Sequence, residues 1–541
     1  MTAGRGTPTT GRRPAERLNT RAAGIIGLAV MCSRVLGLVR EQVCAALFGG
    51  GGAMDAFTAA FRIPNLLRDL FAEGALSTAF VATFSKTAAR SNDAAAWQLA
   101  NKIATMAAVV LGVICVLGIV YSPQLVALLA PGFNPDKAAL TVTLTRIMFP
   151  FILLVSLAAL VMGMLNSKDV FGMPAMASSF FNLGSIAGGV LLGYWLDPHF
   201  GTLALVGLAI GTLIGGALQL GVQLPQLRKL GYRYRPDFHW RDPGVAAVLA
   251  LMGPSVIAAS TTQLNVLVNS IFASHLGDGP IFWLAIAFRL MQLPLGLFGV
   301  ALGTVTLPLL SRLAVAGDRP AFRAELARGM RLAFLMTIPC TVGLVMLAEP
   351  IVSLLYQHGR FDARQTFEAA GALRYYAIGL AGYAALKVLV TAFYALDHRR
   401  TPMYVSFVAV ALNLALNWVF TRQLGWGHRG LAFSTGCVAT CNFLALYALM
   451  HHHLRRLEGR RMATLLAKVA LASAVLALVC WGAQHWVLVG WEHEVFATKA
   501  ISLIVTIGVA IGVFLGCGWL LRIEELLELG HALRRRARGT L

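Results

Sequence analysis

Charge is scarce in this sequence. Only 13% of its 541 residues are Asp, Glu, Lys or Arg, against ~25% in an ordinary soluble domain. No stretch beyond ~25 residues is polar enough to form a separate soluble domain, which excludes a soluble enzyme carrying a single anchor. Acidic residues are scarcer still, 24 against 45 basic ones, for a net charge of +21. In a soluble chain that excess would suggest nucleic acid. Here the basic residues sit in loops between apolar runs, the pattern that orients membrane proteins, so no nucleic-acid partner is expected. None of the eight cysteines forms a CxxC pair, and most lie within apolar runs. They read as small buried hydrophobes rather than a disulfide framework or a zinc site. Gly49–Gly52 lacks the Lys-Ser/Thr of a phosphate loop and reads as a tight turn. His451–His453, in a basic loop, reads as solvated rather than metal-binding. Met1–Arg21 is too long and too rich in Pro, Thr and Arg for a signal-peptide start, so a cytoplasmic tail is expected.

Apolar sequence is what remains. Hydrophobic residues make up 57%, with mean hydropathy +0.71. A membrane helix needs about 20 apolar residues. On that ruler the chain is an all-α integral membrane protein of about fourteen helices. They are expected near 22–48, 54–86, 97–129, 138–166, 172–196, 201–226, 244–275, 280–312, 325–356, 365–396, 402–421, 428–453, 462–488 and 496–521. Arginines cluster in the tail, in 227–242, in 312–331, at Arg399 and Arg400, in 455–461 and in 534–538. Fourteen crossings put all of these on one side. Both termini are then cytoplasmic, in a multi-pass protein of the bacterial inner membrane.

The chain also repeats itself. Ala60-Phe61-Arg62 matches Ala287-Phe288-Arg289, and Ala75-Leu76-Ser77-Thr78 matches Ala301-Leu302-Gly303-Thr304. Pro174 and Pro402 open helices at nearly the same offset. The repeat spans six helices, so both copies stand the same way up. The expected organisation is a tail (1–21), a first lobe of six helices (22–226), a basic linker (227–243), a second six-helix lobe (244–453), two further helices (454–521) and a basic C-terminal tail (522–541).

The charges inside the apolar runs carry the functional reading. An arginine at mid-bilayer costs about 2.5–3.5 kcal/mol on the insertion scale, so several are tolerable only beside a wet cavity or an anion. Arg34 lies deep in the first helix, whereas Arg40, nearer its end, could snorkel. Arg62, Asn65, Asp69 and Glu73, spaced 3, 4 and 4, share one face of the second helix, with Arg68 further round. Arg289 takes the repeat position of Arg62, and residues 281–308 contain no acid to neutralise it. An unpaired cation there points to an anionic ligand, and the planar guanidinium suits phosphate. Pairing of Asp69 and Glu73 with Arg62 and Arg68, merely holding helices together, is the plainer alternative. Lys387 is either a second anion contact or a snorkelling side chain. Asn269, Asn413 and Asn417 could ligate a cation, although hydrogen bonding between helices is the commoner use of such amides.

These residues resemble a known family. Ser33-Arg34-Val35-Leu36-Gly37, Arg40, Met54-Asp55-Ala56-Phe57 and the run from Phe61 to Phe80 with Asn65, Arg68 and Glu73 are similar to the MurJ/MviN group of the MOP exporter superfamily. So are Pro131-Gly132-Phe133, the run Phe288–Thr304, Tyr356–Phe361 and Lys387–Ala395. The resemblance covers the first twelve helices. It implies a flippase, not an enzyme, that carries lipid II, the undecaprenyl-pyrophosphate-linked peptidoglycan precursor, from the inner to the outer leaflet for cell-wall synthesis. It implies two lobes around a cationic cavity, and a groove for the lipid tail along the last two helices. Arg34, Arg68 and Arg289 match the family's essential arginines, and Arg40, Asp55 and Glu73 match further family positions. Membrane lipids and peptidoglycan synthesis proteins are the partners implied. No cofactor is expected beyond coupling to membrane potential or a monovalent cation. Three departures stand out: Phe288 where many members carry an acid, Asp69 where a basic residue is common, and Asn269 and Asn417 where some relatives place carboxylates for sodium. Three rivals remain: an O-antigen or exopolysaccharide flippase, a MATE-like cation or drug antiporter, and a polyprenyl-phosphate glycosyltransferase or phosphatase. The last would need an acidic metal cluster or a His/Arg motif in a loop at the membrane edge.

Overall fold

The computed structural model describes residues 20–69, 76–454, 457–491, 494–528 and 530. Glu73, residues 1–19 of the expected N-terminal tail, and residues 529 and 531–541 of the expected C-terminal tail lie outside the described residues. The first half of the chain forms α1 (Thr20–Phe48), α2 (Gly52–Arg68), α3 (Ser77–Arg90), α4 (Asp93–Val120), α5 (Ser122–Leu129), α6 (Pro135–Met148), α7 (Phe151–Asn166), α8 (Gly172–Leu196), α9 (Ala204–Gly221) and α10 (Leu224–Lys229). The second half forms α11 (Pro243–Ser274), α12 (Pro280–Pro294), α13 (Ala301–Val315), α14 (Arg319–Met346), α15 (Ala348–Tyr356), α16 (Ala363–Ile378), α17 (Leu380–Ala395), α18 (Arg400–Trp418) and α19 (Gly427–Leu454). Two more, α20 (Gly459–Trp486) and α21 (Phe496–Leu520), follow. Among the described residues there is no strand. Among the described residues, ten helical stretches are long and apolar enough to cross a membrane, or eleven if the pair α16 and α17, bent by 43°, is one span.

Every stretch expected to be helical carries helix, but several come in two pieces, and local chemistry explains the breaks. Pro123 restarts the chain as α5 and Pro150 precedes α7, each proline lacking the N–H that would continue the helix before it. Gly379 sits at the bend between α16 and α17. Leu295–Val300 joins α12 to α13 as a π-helical segment, directly after Pro294. Helix starts are capped by side chains: Asn92, Asn134, Asp242, Asp318 and Asp362 each accept a backbone N–H of the first turn.

Packing follows small residues where two helices approach closely. Between α8 and α9, a Cβ at Gly207 would lie 2.3 Å from the nitrogen of Gly193, and one at Gly211 would lie 2.3 Å from that of Gly189. Without a hydrophobic drive in lipid, such backbone approach is how helices gain van der Waals contact. Helix α8 also packs on α1, and α20 packs on α14 and α21. Polar contacts sort the loops into two ends. At one, the linker end, Lys102 meets Asp242, Lys168 meets Asp93, and Arg331 meets Glu458 and Glu525. At the other, the far end, the loops after α1, α5, α8, α11 and α15 converge.

Candidate functional site

Five arginines from the two halves stand along the seam between them. Arg34, exposed in mid-α1, lies against the π-helical segment: a Cβ on Gly296 would be 3.1 Å from its Nη1. One and a half turns on, the Arg40 guanidinium stacks over the Phe181 ring at 5.1 Å. Arg40 is within electrostatic reach of both Arg289 and Arg68. On α12, Arg289 does not stand unpaired as its own helix suggested. Its Nη1 lies 2.6 Å from Glu41 Oε1, a carboxylate supplied by α1. The expectation looked only along one helix, and the partner comes from the other half. Glu41 is held from its other side by the Tyr356 hydroxyl at 3.2 Å. Arg289 keeps 44% of its side-chain surface open, so the pair leaves donors free to face a ligand.

The helical ladder on α2 divides. Arg68 bonds to Asp69, Nη2 to Oδ1 at 2.9 Å, and Asn65 and Gln263 also donate to Asp69. Asp69 thus answers Arg68, as the plainer reading supposed, and also ties α2 to α11. Arg62 turns instead into the second half, donating to Ser270 on α11 at 2.5 Å. Arg62 and Arg289 therefore reach in opposite directions across the same seam.

A cavity of about 1410 Å³ lies inside the second half, between α11, α12, α17, α18 and α19. Among the described residues, Arg62 is its one lining residue from the first half. Lys387, Arg399 and Arg400 also line it, with Tyr376 and Tyr383, and among the described residues no lining residue is acidic. Lys387 is exposed to this space. Nothing in the sequence pattern announced a chamber within one half; its second-half walls run from Asn265 to Asn442, far apart in the chain.

Asn269, Asn413 and Asn417 meet, as their spacing allowed, and they bond to one another. Asn417 Nδ2 donates to Asn269 Oδ1 at 2.8 Å and to Asn413 Oδ1 at 3.3 Å. Ser434 donates to Asn417 Oδ1, and Asn269 Nδ2 donates to Thr435. Each of the three amide oxygens already accepts a hydrogen. The cluster is a neutral hydrogen-bonded network joining α11, α18 and α19.

Asp55 is fully buried at the far end. Its carboxylate accepts from the backbone N–H of Gly279 at 2.7 Å and of Phe282 at 2.9 Å, at the start of α12 in the other half. A carboxylate at a helix N-terminus satisfies orphan donors and meets the positive end of the dipole. Lys137 on α6, missed in the sequence, bonds to Asp55 at 2.9 Å and to Asp278 at 2.9 Å. Nearby, Gly50 N–H donates to Gln365, and Arg360 donates to the carbonyls of Phe200 and His199. The far end is thus bolted across the halves, by buried charge-assisted bonds at Asp55 and by more exposed bonds at Gln365 and Arg360.

This fold is that of a polytopic membrane transporter. It overlays a solved inward-facing MATE-family multidrug transporter of the MOP superfamily with a TM-score of 0.63, at 14% identity, covering 80% of this chain and 98% of that one. It overlays a solved lipid II flippase MurJ, in an inward closed conformation, with a TM-score of 0.72 at 24% identity over 91% of this chain and 98% of that one. Sequence narrows the class: the family model described as lipid II flippase MurJ matches residues 44–502. The lipid II flippase MurJ of Burkholderia cenocepacia is 37% identical over 468 residues, 85% of this chain and 89% of its own. A probable lipid II flippase MurJ of Vibrio cholerae is 34% identical over 520 residues, 93% and 96% of the two chains. The chain belongs to the lipid II flippase MurJ family.

Proposed function

We propose that this protein flips lipid II from the inner to the outer leaflet of the bacterial cytoplasmic membrane by alternating access, supplying peptidoglycan synthesis. The observation that carries this reading is the set of guanidinium groups, Arg34, Arg40, Arg68 and Arg289, along a seam bolted at one end. In this reading fourteen crossings form two parallel six-helix lobes plus α20 and α21. Both termini and the linker end are cytoplasmic, and the bolted far end faces outward. The diphosphate enters from the linker end and binds Arg34, Arg68 and Arg289. The prenyl tail stays in lipid along α20 and α21. Peptidoglycan synthesis proteins take the product.

Glu41 gives the cycle its release step. It holds Arg289 at 2.6 Å, so an entering diphosphate must displace a resident carboxylate. Return of Glu41 to Arg289 then favours departure of the ligand. A ligand shifts a conformational equilibrium only by its differential affinity for the two states, and this exchange supplies such a difference. Membrane potential fits as the drive, since moving one negative charge outward across 100 mV gains about 2.3 kcal/mol. The engaged amide oxygens of Asn269, Asn413 and Asn417 favour that drive over a monovalent cation.

A leaflet-resolved assay with labelled lipid II and the purified protein in vesicles tests the proposal. Movement of lipid II that is lost in Arg289→Ala supports it. Movement of cationic drugs without lipid II favours the antiporter, and movement of O-antigen lipids without lipid II favours the polysaccharide-lipid flippase.

A further inference from the structure

The segment joining the two halves, residues 228–241, has an arrangement that flipping does not require. It carries Arg228, Lys229, Arg233, Arg235 and Arg241, all exposed. Among the described residues none of the five is in an ion pair. Asp237 is the sole acid in the stretch, and its carboxylate is already met by the His239 ring at 2.7 Å. Aromatic side chains alternate with the basic ones: Tyr234, Phe238 and Trp240 are 50%, 64% and 37% exposed.

The segment is not a loose loop. Tyr232 is buried with its ring against Trp97 of α4, centroids 5.2 Å apart. The Tyr234 hydroxyl lies 3.0 Å from Thr105 Oγ1, the N–H of Arg235 donates to Asn101, and the N–H of Asp237 donates to Thr105. Lys102 bonds to Asp242 at 2.7 Å. These ties fix its depth. From residue 103 to Val120, helix α4 has no charged residue, a run of roughly 27 Å that matches the hydrocarbon thickness of a bilayer. Asn101 and Lys102 therefore stand where α4 leaves the hydrocarbon, with Thr105 one turn inside it. The strap lies in the headgroup layer, where amphipathic aromatics concentrate and basic side chains meet lipid phosphates.

We infer that residues 228–241 form an interfacial strap that binds the headgroups of anionic phospholipids and anchors the connection between the halves to the membrane surface. Charge complementarity and depth select a lipid surface over a soluble acidic partner. With the linker end cytoplasmic, as proposed above, the surface is the inner leaflet; the binding itself does not depend on lipid II.

The test uses the full-length protein in nanodiscs of phosphatidylcholine alone or with one third phosphatidylglycerol. Trypsin cleavage after Arg233 and Arg241 is timed by mass spectrometry; Arg235 precedes proline and resists. Cleavage after exposed Arg90, at the same end, controls for any general effect of surface charge on the protease. Anionic lipid should slow cleavage at Arg233 and Arg241 about tenfold relative to Arg90. The difference should vanish near 1 M salt, where the screening length falls to about 3 Å. The variant Arg228→Gln/Lys229→Gln/Arg235→Gln keeps both cleavage sites and should lose most of the lipid effect. Equal cleavage in the two discs overturns the inference, as does protection by soluble polyglutamate but not by anionic lipid. If the triple variant does not fold, the comparison of the two discs with the natural sequence decides alone.

Discussion

Replacing Asp55 by alanine should release the far end. Only the bonds that cross between the halves bear on that equilibrium. Asp55 makes two of them, to the N–H groups of Gly279 and Phe282 at 2.7 and 2.9 Å. Hydrogen bonds to a charged group are each worth about 1.5–3 kcal/mol net, so the pair at its lower bound gives about 3 kcal/mol. That is roughly a 150-fold shift toward a parted far end. Lys137→Met should do less, because its bonds across the seam go to Asp278, which is 65% exposed, and, at a long 3.3 Å, to the Gly277 carbonyl, and exposed pairs contribute about 0–1 kcal/mol. Asp55→Asn, which keeps an acceptor, should fall between. Spin labels at Tyr121 and Arg364, with exposed Cys32 and Cys441 replaced, report the distance across the far end by pulsed electron resonance. The natural sequence should give one short distance, and Asp55→Ala should add a dominant longer one. If Asp55→Ala folds in normal yield yet gives an unchanged distance distribution, the clasp does not select between states and the reasoning is wrong.

Other outcomes follow from the same geometry. Arg34→Ala and Arg289→Ala should each abolish support of cell-wall synthesis while the protein still inserts, read by complementation and membrane fractionation; full complementation by either would contradict the arginine site. Glu41→Gln, which frees Arg289 from its 2.6 Å partner, should tighten diphosphate binding and slow turnover; a binding titration in which affinity is unchanged would remove Glu41 from the cycle. Replacing sodium by potassium in the vesicle assay should leave the lipid II rate unchanged, whereas collapsing the membrane potential should lower it; a strict sodium requirement would show that the amide network opens to a cation. The Asp242 carboxyl, hydrogen-bonded by Lys102, is held below the usual carboxylate range. With its folded-state pKa depressed, its contribution is full above the unfolded value and is lost as pH falls through the folded one. Opening of the strap, followed by hydrogen exchange from about pH 5 down to pH 3, should therefore rise on acidification. That rise should be blunted in Asp242→Asn.

The sequence makes some of this legible and hides the rest for identifiable reasons. Apolar runs mark where helices lie, because length and hydropathy are local properties, but proline and glycine divide several of those runs. The match of Arg62 with Arg289 anticipated two guanidinium groups at one seam, and both reach across it. The pairing of Arg289 stayed hidden because Glu41 sits on another helix in the other half. The amides at 269, 413 and 417 offered two chemistries; the hydrogen-bonded arrangement is the one seen, and it is completed by Ser434 and Thr435, which no spacing rule links to them.

The far-end clasp could have been found, and the way it was missed is instructive. Basic residues gather at the linker end, so a basic residue in a far-end segment departs from the rule that orients the protein. Lys137 and Arg360 are such departures. A cation that gains nothing from topology needs another reason to be there. Lys137 is 7% exposed between Asp55 and Asp278, and Arg360 donates to two carbonyls of the other half. Both of these are thus contacts between halves, whereas Arg429, at the same end, pairs within its own half with Glu368 at 2.9 Å. In a transporter whose two halves must part at one end, charges on the disfavoured side are the first place to look for the bonds that hold that end closed. The variant Arg360→Gln extends the argument: it should lengthen the same label distance as Asp55→Ala, by a smaller population, because exposed Arg360 gives up bonds that water can replace.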